Sequence, residues 1–155
     1  CPAASALSLE GSSRGLLFSL PVSARQILLA KAFPTFLCDC AAGLVFSVIF
    51  GIKRGAGVFG WAALLLTAIL YSAFTALLGS FLNYKYPKYD WTNETQAVKN
   101  SIPMLIVIFG NMVLGIAVPI HSVFAGSWLA LGVNLIAAVL CVVLFSHFKK
   151  IKLYV

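Results

Sequence analysis

The chain has 155 residues, 61% of them hydrophobic and only 10% charged, and its 11 Lys and Arg against 4 Asp and Glu give a formal charge of +7. Soluble domains usually carry about 25% charged and about 45–50% apolar residues, and a domain of this size leaves much of its surface in water. With a mean hydropathy of +1.01, the composition excludes an ordinary soluble domain and places the chain in the membrane class.

The chain opens at Cys1 without an initiator Met, and the reading expects a fragment or a processed product. Its first residues include Glu10 and Arg14 and lack the basic-then-apolar layout of a signal peptide. Leu16, Leu17, Phe18 and Leu20 form an apolar patch too short to span a bilayer, and Pro21 breaks it. Ser23 stands three residues before Gln26, the spacing of a capping box. A short helix along the membrane face, a turn at Pro21–Val22 and a helix entering the bilayer follow from that order. An interfacial anchor has the same composition, so composition leaves both roles open.

Runs of roughly 20 apolar residues predict four spans, at about 27–50, 57–82, 101–118 and 123–146. They are apolar all round, as helices in lipid are, and they lack the alternation of barrel strands. The expected fold is thus all-α: a polytopic transmembrane bundle of about four helices plus an interfacial cytoplasmic helix. It divides into a cytoplasmic segment 1–26, a transmembrane domain 27–148 containing the polar loop 83–100, and a basic tail 149–155. Gly51, Lys53, Arg54 and Gly55 are read as the first turn, and Pro119, His121 and Gly126 mark the last. Arg14, Arg25, Lys31, Lys85, Lys88, Lys99, Lys149, Lys150 and Lys152 fall on one side, against Lys53 and Arg54 on the other. By the positive-inside rule the richer side is cytoplasmic. The excess charge then reflects topology and attraction to anionic lipid, and no nucleic-acid partner is expected.

In order, Leu9-Glu10-Gly11, an apolar helix, Leu20-Pro21-Val22-Ser23 and Gln26-Ile27-Leu28-Leu29-Ala30-Lys31 resemble the permeases of type-2 ATP-binding-cassette exporters. In that family an E-G motif precedes a helix ending in L/S-P-V-S, and an I-L-x-x-K entry into a span follows. Pro87-Lys88-Tyr89-Asp90-Trp91-Thr92-Asn93-Glu94 is similar to a cytoplasmic P-K-x-D-W-x-N-E stretch of large bacterial members. The resemblance implies a C-terminal part of a permease in the bacterial cytoplasmic membrane, lacking at least two spans. It implies that Glu10, Gly11, Leu16, Leu17, Phe18, Leu20, Pro21, Val22 and Ser23 form the coupling helix docking on a cytoplasmic ATPase subunit. A further contact would lie at Pro87, Lys88, Asp90, Trp91, Asn93 and Glu94. ATP and Mg would be bound by that partner, with no cofactor in this chain, and a second permease half or a homodimer would complete the pathway. One departure is that Ser12, Ser13 and Gly15 are weak helix formers, which moves the start of the coupling helix to near Arg14–Leu16.

Little else in the sequence points to chemistry. Asp39 is the one acid at membrane depth, where a charge is costly enough to suggest a role in transport. A small proton-coupled transporter using Asp39, or a non-transporting scaffold, are the alternatives. His121 and His147 lack partners at ligand spacing, so no metal site is expected, and no hydrolase motif or Walker loop is present. Cys38, Cys40 and Cys141 are read as buried free thiols. Gly110, Gly115 and Gly132 are the expected points of close helix contact, with Asn111 and Asn134 bonding between helices.

Overall fold

The computed structural model describes residues 2–13, 15, 19, 21–89, 91–93, 95, 101–112 and 126–148. They form four α-helices: α1 Ala24–Arg54, α2 Val58–Lys85, α3 Ile102–Met112 and α4 Gly126–Phe148. Two 3-10 segments, Pro2–Ala4 and Ser8–Ser13, precede them, and no strand occurs among the described residues.

Local sequence accounts for the helix ends. Ser23 is extended and caps α1; the Ser23 hydroxyl accepts from the Gln26 N–H, and the Gln26 side chain accepts from the Ser23 N–H at 2.9 Å. The reciprocal pair satisfies two donors that every helix start leaves free, and it moves the start to Ala24, ahead of the apolar run. At the other end the chain turns left-handed at Gly55 (φ 60°, ψ 43°), whose N–H closes on the carbonyls of Gly51 and Ile52. The predicted turn beginning at Gly51 is therefore corrected: Gly51 is helical, and glycine's freedom at φ > 0 is used four residues later. Pro34 lies inside α1, where it lacks an N–H, yet the helix continues through it. Pro103 sits in the first turn of α3, where a missing N–H costs nothing.

Helix α2 is the centre of the fold. It runs antiparallel to α1, with Gly43 opposite Ala68, Ser47 opposite Leu64 and Gly51 opposite Trp61. On its other sides it bonds to α3 through Tyr71 and Thr75, and to α4 through Thr67 and Phe81. The α2–α4 pairs, 67 with 134 and 81 with 148, advance together, so those two helices are parallel.

Burial is inverted relative to a water-soluble protein. The buried residues of α2 are Ala68, Ser72, Thr75, Ala76, Gly79, Ser80 and Asn83, all small or polar. Large apolar side chains point outward: Phe46 is 63% exposed, Ile52 69%, Phe59 87% and Val142 69%. Helices α1 and α2 are long and apolar enough to cross a membrane, and only 17% and 33% of their most apolar windows are buried. Along α2, small and polar residues inside are the pattern of helices that meet through close backbone approach rather than by hiding apolar surface from water.

Two of the three predicted contact glycines, Gly110 and Gly132, are not at the close α1–α2 approach. A Cβ at Gly43 would lie 3.2 Å from the Ala68 Cβ, and one at Gly51 would lie 2.9 Å from the Trp61 ring. Gly110 and Gly132 have open space beside them, and Gly115 falls outside the described residues. The reason is position on the helix: Gly43 and Gly51 lie eight residues apart on the face of α1 turned to α2, whereas the other two face outward. Cys38 is likewise exposed rather than buried, with Cys40 and Cys141 half-buried; all three are free thiols.

Candidate functional site at the entry of the first helix

Where α1 and α3 begin and α2 and α4 finish, the bundle is closed by residues 2–13. This end is called proximal below. Ala3, Ala4, Ser5, Leu7 and Ser8 are buried there. Ala4 packs with Met104 and Val107 of α3 and Leu82 of α2. Leu7 joins Leu28 of α1, Phe148 of α4 and the α2 side chains Leu77, Phe81 and Tyr84. One short segment therefore touches all four helices.

Polar contacts set its depth and register. The Ala3 N–H donates to Thr35 Oγ1 at 2.8 Å, and Thr35 is fully buried. Thr35 lies eleven residues into α1, so the segment reaches about 17 Å along that helix. Lys31 Nζ donates to the Ala6 carbonyl at 3.0 Å and forms an ion pair with Glu10. Asn83, 1% exposed, turns its carboxamide oxygen to the N–H groups of Leu7 and Ala6 (2.7 and 3.0 Å) and donates through its nitrogen to Ser8 Oγ at 2.6 Å. The facing N–H groups assign that orientation.

The loop after α2 closes over the same segment. The Lys88 N–H donates to Ser8 Oγ at 3.0 Å, and Trp91 Nε1 donates to the Ser8 carbonyl at 2.8 Å. Gly11 has φ 49° and ψ −122°, a conformation side chains resist. A Cβ there would stand 2.9 Å from the Trp91 ring. Glycine is thus required twice at one position, by the backbone and by the indole.

The sequence-predicted site residues divide as follows. Glu10, Gly11, Lys88 and Trp91 are brought together around Ser8, although some 80 residues separate the two motifs. Pro21 and Val22 form an exposed bend, and Ser23 is the cap of α1. Pro87 and Asn93 are exposed; Asn93 accepts from the Thr95 N–H at 3.1 Å. Leu16, Leu17, Phe18, Leu20, Asp90 and Glu94 fall outside the described residues. Between them, Gly15 and Ser19 have helical backbone and are exposed. Sequence reading missed Thr35, Asn83 and Ser8. The sequence reading has Asn83 as the first residue of the polar loop 83–100; α2 instead continues to Lys85, which puts the Asn83 amide on the helix, facing residues 6–8.

A second polar cluster lies deeper. Asp39 is the middle residue of α1, about 22 Å from either end. It shares a face with Thr35 and Gly43, and the α1–α2 register sets it level with Ser72. Tyr71 donates its hydroxyl to Asn111 of α3, at 3.2 Å from the carbonyl and 3.1 Å from Oδ1, and Thr75 donates to the same Oδ1 at 3.2 Å. Thr67 donates to Asn134 Oδ1 at 2.9 Å. Both asparagines do join helices, as their placement within apolar runs suggested. Among the described residues no side chain bonds or pairs with Asp39, and no three metal-ligating side chains gather.

No family model matches the chain, and no curated protein or solved structure matches it either.

Proposed function

We propose that this chain is the membrane-spanning part of an ATP-driven exporter, with four spans in the cytoplasmic membrane and its proximal end facing the cytoplasm. A separate ATP-binding-cassette ATPase subunit would hydrolyse ATP and drive the bundle through residues 10–22. The observation that carries the reading is the junction at Ser8. It joins the Glu10–Gly11 motif to the Trp91 motif, and through Lys31 to the first helix. A push on the exposed segment that follows Gly11 therefore reaches α1, α2 and the loop together. Coupling needs only that the segment contact two nucleotide states of the partner differently. The inside-out burial of α1 and α2 supports the membrane setting.

Reconstitution with a partner ATP-binding-cassette ATPase subunit tests the reading. Replacing Leu17 and Phe18 by Asp is expected to abolish stimulation of ATP hydrolysis while insertion and helix content persist. Stimulation unaltered by that change, or labelling that puts a cysteine at Ser13 on the external side, rejects the proposal.

The position of Asp39 at the middle of α1 favours a second reading, a proton-coupled transporter that needs no ATPase. Liposomes containing the chain alone would then respond to a pH gradient, and Asp39→Asn would abolish the response.

A further inference from the structure

A guanidinium carries five N–H donors and keeps its charge, so one held at the edge of hydrocarbon needs acceptors. Arg25 stands in the first turn of α1, two residues before Ile27, where the apolar run begins. Its guanidinium lies over the Phe145 ring of α4, 4.3 Å from the centroid, and its Nε is buried with no hydrogen-bond partner. Among the described residues no carboxylate pairs with it; the ion pair at this end joins Lys31 to Glu10. The rest of the proximal end is basic too. Lys85 lies over the Tyr86 ring at 5.5 Å, and Lys149 and Lys150 follow Phe148 directly in the sequence. Helices α1 and α4, each packed on α2, meet at this end through Arg25 on Phe145 and Leu28 with Phe148. Beyond that meeting, Phe33 of α1 and Val142 of α4 are 57% and 69% exposed.

We propose that Arg25, at the seam between the start of α1 and the end of α4, binds the phosphodiester of an anionic phospholipid. The inference rests on the membrane-spanning reading above, which sets Arg25 at headgroup depth, and adds a lipid ligand to it. A phosphodiester offers the guanidinium two acceptor oxygens, and the group is already held on Phe145, so little freedom is lost on binding. The acyl chains would cover exposed apolar surface such as Phe33 and Val142. The basic surroundings select a lipid of net negative charge, because a zwitterionic one brings its own ammonium into the same field. Free phosphate shares the headgroup chemistry but has no hydrocarbon to lay on those helices. Bound at the seam, the lipid braces α1 against α4.

The test uses the full chain, delipidated in dodecyl maltoside micelles and titrated with phosphatidylglycerol or with phosphatidylcholine of the same acyl chains. Native mass spectrometry counts the bound lipid. Phosphatidylglycerol is expected to bind saturably and about 10-fold more tightly than phosphatidylcholine, the size of one charge-assisted contact. Arg25→Gln should erase that preference. Arg25→Lys, which keeps the charge, should retain it within about 3-fold, which separates loss of charge from loss of fold. Lys53→Gln, at the far end of α1, should leave it unchanged. Excess inorganic phosphate should not displace the lipid. Equal binding of the two lipids, an undiminished preference in Arg25→Gln, an equal loss in Lys53→Gln, or displacement by inorganic phosphate overturns the inference. Alkaline carbonate extraction of the same chain from vesicles checks the membrane reading separately. A chain that resists extraction and shows no preference loses the lipid site and keeps its spans; a chain that washes off loses the spans and the site with them.

Discussion

The two ends of the α1–α2 pair are held together by different physics. At the proximal end the chain is locked by directional bonds between residues far apart in sequence: Ala3 to Thr35, Asn83 to residues 6–8, Lys31 to Glu10, Trp91 to Ser8. Towards the far end, contact depends on shape, with Gly43 on Ala68 and Gly51 on Trp61, and one polar link from Ser47 to the Leu64 carbonyl at 3.3 Å. Directional bonds fix a single register. Contacts made by glycine, on Ala68 and on the Trp61 ring, hold helices close through shape and carry no directional bond. Under the proposed exporter reading, that division would make the bundle rigid where a partner pushes and compliant beyond.

Three substitutions probe the difference, and the largest effect is expected at Asn83. Asn83→Leu removes its hydrogen bonds and strands the buried N–H groups of Ala6 and Leu7, which should cost about 3 kcal/mol. Unfolding in mixed detergent micelles measures it. A loss below about 1 kcal/mol would show that the proximal end is not locked by that amide.

Gly51→Leu comes next. Its side chain would collide with the Trp61 ring, and over-packing of this kind costs about 1–3 kcal/mol. Trp61→Ala in the same chain should recover most of that loss by opening space. Failure of the double variant to recover would mean that the contact is not what sets the far end's spacing.

The smallest effect is expected from Trp91→Phe. The ring keeps its place over Gly11, and only the bond to the Ser8 carbonyl is lost, worth about 1 kcal/mol. Amide hydrogen exchange should then speed up at residues 8–11 and not in α2. Faster exchange throughout α2 would mean that the loop supports the bundle and does not merely clasp the segment beneath it.

The start of α1 was legible because its cause is local, whereas the ends of α1 and α2 were placed three or four residues short of Arg54 and Lys85. Ser23 and Gln26 cap α1 through a spacing visible in the chain, and the left-handed Gly55 ends it. Asn111 and Asn134 could be read as cross-helix partners, since an amide in an apolar run has few other ways to be satisfied. Gly51 was misplaced for the opposite reason. A glycine beside Lys53 and Arg54 looks like a turn until the facing tryptophan is known.

By itself the sequence determined that the chain is helical, that its helices are apolar on all sides, and where the first one begins. These properties depend on composition and on neighbours within four residues. Only the tertiary structure decided which end of the bundle residues 2–13 close, that Gly11 meets Trp91, and that Asn111 meets Tyr71 and Thr75. Each joins positions tens of residues apart, and burial of small and polar faces selects such pairings with no periodic signal to announce them.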